Sequence, residues 1–216
     1  MTTIEFAVDD LGNRLLQDVT FEGEEFDSLT MRKTSDSTML RNVQFLNCTS
    51  GGAAKIRKGV FLQDVTFDNL DCGDSLYISS ESVICGVRIS GRHPGTLLIE
   101  PQEPGTYRMI EFEEGETLVD VADYQGHVVV IGVPGRNVRK DEDRHVTIKS
   151  SWRASVNWEE LGLGPASFWR LNLKKLSLCN AEQGVFGLPN PKDVDRYEKV
   201  LRERESLESA GVVFDG

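Results

Sequence analysis

The chain has 216 residues, a net charge of −11 and an apolar share of 39%, so it is long enough and apolar enough to bury a core of its own. No apolar run reaches the roughly 20 residues that cross a bilayer, and the N-terminal segment lacks the basic and apolar stretches of a signal peptide. The four cysteines form no CxxC pair, which favours reduced thiols. These features predict a cytoplasmic protein that does not act at a membrane.

The negative charge is concentrated in two blocks. Residues 1–30 hold eight acids against one arginine, and residues 100–125 again hold eight acids against one arginine. Phosphate contacts need clustered cations, so this distribution argues against nucleic-acid binding.

A short motif recurs along the first half of the chain at intervals of 22 to 24 residues. Its copies begin at Leu16, Leu40, Leu62 and Ile84, and the first and third read identically, Leu-Gln-Asp-Val-Thr-Phe. Alternation places two residues of each copy on one face of a strand. These inward residues are Val19 and Phe21, Val43 and Phe45, Val65 and Phe67, and Val87 and Ile89. A second apolar segment after each copy supplies Leu29 and Met31, Ala54 and Ile56, Leu76 and Ile78, and Leu97 and Ile99.

One repeat cannot bury such a face alone, but repeats stacked in parallel register form continuous apolar columns. We therefore predict an all-β fold, a right-handed parallel β-solenoid of six or seven coils. The solenoid domain spans residues 1–180, with clear repeats over 15–100 and degenerate coils over 101–180. Further strands are expected at 107–112, 117–121, 127–133, 145–150 and 169–178.

The last segment changes to a helical period. Asn190 and Pro191 suit the N-cap and first helical positions, and Gly211 suits the position after a helix. The apolar stripe of this helix is Val194, Tyr197, Leu201 and Leu207. We predict that residues 181–216 form a helical appendage that packs on the C-terminal part of the solenoid.

The repeat resembles two related families. Its unit length and its two or three strands per unit are similar to right-handed parallel β-helix proteins. A five-residue rhythm in Leu16, Phe21, Phe26 and Met31, and again in Leu62, Phe67, Cys72 and Tyr77, resembles pentapeptide-repeat proteins. Glu24 stands where pentapeptide coils hold a small residue, which favours the general β-helix. The resemblance covers residues 15–100 and brings no catalytic motif with it.

The sequence contains no recognisable catalytic or metal-binding motif. His93, His127 and His145 have no metal-ligand spacing, and no nucleophile or nucleotide-binding signature occurs. We therefore predict no catalytic residue, no metal site and no cofactor.

A ladder of polar residues keeps a second function class open. Asp18, Asn42 and Asp64 occupy equivalent repeat positions, so stacked coils would place them on the outer face at steps of about 4.8 Å. Many β-helix proteins cleave polysaccharides with carboxylates on one face, and the resemblance therefore implies a carbohydrate-active enzyme or a sugar-binding module as an alternative. Solvation of the strand face is the other role for this ladder.

Acidic residues follow the first strand of several repeats, where the chain turns a corner. They are Glu22, Glu24, Glu25 and Asp27, then Asp68, Asp71 and Asp74, and then Glu113, Glu114 and Glu116. In the repeat frame all of them lie along one edge, which either keeps the protein soluble or holds a Lys- and Arg-rich partner.

The preferred prediction is therefore a non-catalytic protein whose acidic edge docks a basic protein partner. It would be an immunity or inhibitor protein that neutralises a toxin or, as the pentapeptide-repeat resemblance implies, an inhibitor that mimics DNA. A structural assembly unit is a third alternative, and the oligomeric state is left open.

A second, weaker binding candidate is aromatic. Trp152, Trp158 and Trp169 fall within 18 residues. This density fits either core packing or an anchor for a partner or a sugar.

Overall fold

The computed structural model describes residues 1–33, 37–103, 105 and 115–214. The strands of the first two coils are β1 (Ala7–Val8), β2 (Arg14–Glu22), β3 (Glu25–Phe26), β4 (Thr30–Met31), β5 (Thr38–Leu46), β6 (Thr49–Ser50) and β7 (Ala54–Ile56). Those of the next coils are β8 (Val60–Asp68), β9 (Ser75–Ser79), β10 (Val83–Cys85), β11 (Val87–Ser90), β12 (Thr96–Glu100), β13 (Val119–Asp120) and β14 (His127–Ile131). The remaining elements are β15 (Val138–Arg139), β16 (His145–Lys149), α1 (Trp152–Ser155), α2 (Phe168–Cys179), β17 (Gln183–Gly187) and α3 (Val194–Ser209).

Two long sheets enclose the core. The first sheet stacks β2, β5, β8, β11, β13 and β15 in parallel, with β1 antiparallel on β2 at its N-terminal end. The second stacks β4, β7, β9, β12 and β14 in parallel, and β3 pairs with β6 where the chain turns between the two sheets. The result is a parallel β-solenoid of about five turns with a C-terminal helix, so the fold class is confirmed and the count of six or seven coils is not.

The register joins equivalent repeat positions, as the motif spacing predicts. Val43 lies opposite Val65 and Phe45 opposite Phe67. All four side chains are buried, and the two rings stack with their centroids 5.3 Å apart. Alternation of β-branched and aromatic residues therefore produces the interior columns, because like residues stack on like from coil to coil.

The second sheet confirms its predicted inward set in the same way. Leu76 lies opposite Leu97 and Ile78 opposite Ile99, and all four are buried.

A column of left-handed residues bends each coil at one place in the first sheet. Asp18, Asn42, Asp64 and Gly86 have φ values of 52°, 50°, 53° and 66°. Asn, Asp and Gly are the residues that adopt this conformation at the lowest cost. The polar ladder is therefore present on the exposed face, where the Asn42 amide donates to Asp18 Oδ1 at 2.8 Å. Backbone conformation accounts for these residue types without a catalytic role.

The regular winding ends in a mixed arrangement. Strand β17 inserts between β14 and β16 and runs antiparallel to both. The outer face of the last strands then packs under the helices, in a second core that holds Val129, Ile131, Trp169, Leu176 and Leu207. None of the helices in the described part of the chain combines the length and apolar character needed to cross a bilayer.

Three of the further strands were predicted correctly, and one was wrong. β13, β14 and β16 fall at the expected places, whereas 107–112 lies outside the described residues. Residues 169–178 belong to helix α2, which begins after Ser167, whose side chain accepts a hydrogen bond from the Arg170 amide.

The apolar residues in this segment fit two periods at once. Trp169, Leu173 and Leu176 follow helical spacing and are buried, whereas Leu171 and Leu178, which support the alternating pattern, are 51% and 61% exposed. Tertiary packing selects the helical set.

The C-terminal helix is present but begins three residues after the predicted start. Asn190 caps a turn by accepting a hydrogen bond from the Lys192 amide, and Asp193 is the N-cap residue of α3. The buried face of α3 is Val200, Glu203 and Leu207, and Val194 is 55% exposed. Whether residues 181–216 behave as a separate domain stays a prediction.

Replacing Val65 with Asp should destabilise the solenoid by about 3–5 kcal/mol, because the charge would be buried in an apolar column without a partner. Thr66→Asp is the control, since Thr66 is partly exposed and lies opposite Arg88 in the neighbouring strand. Denaturant unfolding followed by circular dichroism measures both variants. Equal stabilities would contradict the inward register of Val65.

Gly86→Ala should cost about 1–3 kcal/mol, because φ is positive there and a Cβ atom would lie 2.7 Å from Asp64 Oδ1. Asp64→Gly removes that oxygen, so the double variant should recover part of the loss. A double-mutant cycle of unfolding free energies measures the coupling. A coupling of zero would show that the two coils do not constrain each other at this position.

Candidate functional site: an acidic face on the first three coils

Seven acidic residues lie close together on the first corner of the solenoid. We call this group the acidic face, and its members are Glu22, Glu24, Glu25, Asp27, Asp68, Asp71 and Asp74. They come from the corner segments 22–28 and 68–75, which stack on either side of segment 46–53. Backbone hydrogen bonds join the three segments, from the Gly23 amide to the Leu46 carbonyl and from the Asn47 amide to the Asp68 carbonyl, both at 2.9 Å.

The pairing register sets the spacing of the carboxylates. Glu22 and Asp68 lie opposite Leu46 from its two sides, and Glu25 and Asp71 flank Thr49 in the same way. Two strand steps separate the members of each pair, which corresponds to about 9.6 Å.

The middle segment is small and uncharged. Thr49, Gly51 and Gly52 are exposed, and a Cβ atom added to Gly52 would meet nothing within 4 Å. The acidic face therefore consists of two acidic coils on either side of a coil that presents short side chains.

The acidic face has no compensating charge of its own. Segments 22–28, 46–53 and 68–75 contain no Lys, Arg or His. Across the residues that the structure describes, none of the seven carboxylates makes an ion pair. Glu24 accepts a hydrogen bond from Thr2 and Asp68 accepts one from Ser90, and both of these residues are partly buried.

The acidic face ends at the fourth coil. That coil places Arg88 and Arg92 at the same corner, and Arg88 pairs with Asp123 at 2.6 Å. The predicted edge therefore does not continue along the whole solenoid.

The position predicted for Glu116 is wrong. Its carboxylate accepts a hydrogen bond from the Cys85 thiol at 3.0 Å, before the first-sheet strand of its coil, whereas Asp123 and Tyr124 occupy the corner after it. That hydrogen bond, followed by burial, raises the pKa of Cys85 to about 11.

An enlarged repeat explains the error. Val87 pairs with Val119, which is 32 residues later in the chain, so a shift based on 22-residue repeats misaligns the fifth coil. Glu113 and Glu114 lie outside the described residues.

The three tryptophans lie in the second core. Trp152, Trp158 and Trp169 are 5%, 9% and 0% exposed. The rings of Trp152 and Trp169 both pack edge-to-face on Phe214. Rings in these positions can contact a partner only if the core opens, so the structure presents no aromatic anchor there.

A second concave feature, which the sequence analysis did not identify, lies at the other end of the molecule. This C-terminal cleft has a volume of about 1190 Å³ and separates the corners of the last coils from helices α2 and α3. Arg92 and His127 line it from the solenoid, Phe168 and Leu171 from α2, and Arg196, Tyr197 and Glu203 from α3. The excess of cations outside the two acidic blocks is the only sequence signal that pointed to it.

The electrostatics of the cleft suppress charge on its histidines. His127 is exposed on its open side, and desolvation within the cleft, then Lys175 and Arg196, lower its pKa. His145 is 3% exposed, and burial, then Arg144, lowers its pKa to about 4. The Nδ1 atom of His145 accepts a hydrogen bond from the Asp141 amide at 3.3 Å, which fits a neutral ring.

No protein-family model, no curated protein sequence and no solved structure matches the chain. The resemblance to pentapeptide-repeat proteins therefore has no support from a family match.

Lowering the pH from 7 to 4 should destabilise the fold by up to about 3 kcal/mol through His145 alone. Its pKa is about 4 in the folded chain and ordinarily 6.5, so between these values the unfolded chain binds more protons and stability falls with pH. Asp141 opposes this loss, whereas Arg144 and Lys140 contribute to it. Thermal unfolding across the pH range measures the effect.

His145→Asn is the matched variant, because its side-chain oxygen can accept the Asp141 amide but does not titrate. We expect a shallower pH dependence in this variant. An unchanged slope would mean that His145 does not cause the acid sensitivity.

Proposed function

We propose that the chain is a non-catalytic binding protein whose acidic face docks a basic protein partner. The supporting observation is that seven carboxylates on three stacked corner segments have no ion pair within the described residues. Like charges held this close repel each other, so a cationic partner would relieve an unfavourable term that the isolated chain carries.

The spacing suits long cationic side chains. A Lys or Arg side chain laid over Thr49 and Gly52 would have carboxylates of the adjacent coils on both sides, each about 4.8 Å away across one strand step. The guanidinium group of Arg matches a carboxylate with two parallel hydrogen bonds, so an Arg-rich surface fits this arrangement best.

Two kinds of partner have the required chemistry. One is a cationic toxin, for which the chain would act as an immunity or inhibitor protein. The other is an enzyme with a phosphate-binding groove, which the chain would block by mimicking DNA. We place the interaction in the cytoplasm, because all four cysteines are unpaired.

Removing charge from the acidic face should slow the association of a basic partner at least tenfold. The test variant changes Glu22 and Glu25 to Gln and Asp71 and Asp74 to Asn, since all four side chains are exposed and their replacement leaves the core intact. A basic protein captured from the native host on the wild-type chain provides the ligand, and stopped-flow or surface-based kinetics give its association rate. The wild-type rate should fall steeply as ionic strength rises through about 0.15 M, where screening reaches about 8 Å.

The control variant removes the same number of charges elsewhere. Glu159, Glu160, Asp195 and Glu205 are exposed acids outside the acidic face, and their amide forms should capture the partner at the wild-type rate. Equal slowing of both variants would reduce the acidic face to a contribution to net charge. An unchanged rate in the acidic-face variant would reject the docking surface itself.

A further inference from the structure

We propose that the C-terminal cleft binds a small organic anion with an aromatic or aliphatic body. The cleft lies beyond the coil at which the acidic face ends, so this site is separate from the proposed docking surface. The inference depends on the charges, the apolar wall and the size of the cleft.

The charge of the cleft is opposite to that of the whole chain. Among the residues that line it, five are Lys or Arg and three are Asp or Glu, whereas the chain carries −11. Asp123 is neutralised by Arg88 at 2.6 Å. In the described part of the chain, Lys192 and Arg196 make no ion pair, so both remain available to an anion.

The effect of these cations is felt across the cleft. Arg196 on α3 and Lys175 on α2 both lower the pKa of His127, which belongs to the solenoid. A positive potential at His127 therefore comes from the helices on the far side, and a ligand anion between them would be attracted by both.

The wall of the cleft is apolar where it meets the helices. Leu171 is 51% exposed although it lies on a helix that buries its other face, and Phe168 and Tyr197 are partly buried beside it. Surface of this kind favours an aliphatic or aromatic body.

The deepest acidic group does not oppose such a ligand. Glu203 is 8% exposed, its Oε2 atom has no hydrogen-bond partner, and Lys199 lies 3.9 Å from the other oxygen. Burial raises the pKa of Glu203, which favours its neutral form.

The size of the cleft favours a small molecule. Its volume of about 1190 Å³ is close to the upper end of the roughly 300–1,000 Å³ found for small-molecule sites. A cation-lined, partly apolar cleft of this size fits an organic carboxylate, sulfonate or phosphate better than an inorganic ion.

Fluorescence titration with 8-anilinonaphthalene-1-sulfonate, an aromatic anion, tests the proposal on the full chain. We expect saturable binding at one site. Lys192→Gln with Arg196→Gln should weaken it at least fivefold, and Leu171→Ser should weaken it at least threefold. The control Lys55→Gln with Arg57→Gln, at exposed cations on the solenoid, should leave it unchanged. Thermal unfolding confirms that each variant is folded.

Competition separates the two parts of the ligand. Octanoate should displace the probe at concentrations at least tenfold lower than inorganic phosphate does. Absence of saturable binding, equal weakening in the control variant, or equal competition by phosphate would each overturn the proposal.

Discussion

In-register stacking of the coils is the constraint on which this structure depends. Adjacent strands are about 4.8 Å apart, so each buried side chain must match the shape of the one above and the one below. Phe21, Phe45 and Phe67 meet this demand as a stack with centroid separations of 5.2 and 5.3 Å. The same demand applies to the backbone, and the left-handed residues Asp18 and Asp64 recur because each coil must bend at the same place.

The register that aligns the interior also aligns the surface. Glu22 and Asp68 are 46 residues apart in the sequence but flank the same residue, Leu46, in the sheet. Charges from distant parts of the chain are thereby brought to one corner, and the short residues of the coil between them leave room above it. A surface of this kind needs no loop of its own, since the scaffold that holds the core also holds the carboxylates.

A solenoid must also end, and the two ends are closed differently. At the N-terminus, Ile4 and Phe6 cover the first coil, which leaves Val19 and Phe21 partly buried. At the C-terminus, an antiparallel strand and two helices cover the last strands and build a second core around Trp169. The C-terminal cleft is a consequence of that closure, because the helices meet the corners of the last coils without filling the space between them.

The sequence by itself determined the solenoid and its inward residues. The recurrence from Leu16 to Ile84 carries both the alternation and the spacing that parallel pairing requires, and the pairs Val43–Val65 and Ile78–Ile99 follow from it. It also determined that Glu25 and Asp71 share a corner, because both lie within the clear repeats.

Only the tertiary structure decided the rest. The fifth coil begins 32 residues after the fourth, and a longer insertion leaves no periodic signal by which to place Glu116. The segment after Ser167 fits a strand and a helix equally well, and burial of Trp169 and Leu176 against the last strands selects the helix. The cleft joins Arg92, Phe168 and Arg196 from three separate elements. Local spacing carries no information about that meeting, because it depends on how the helices dock.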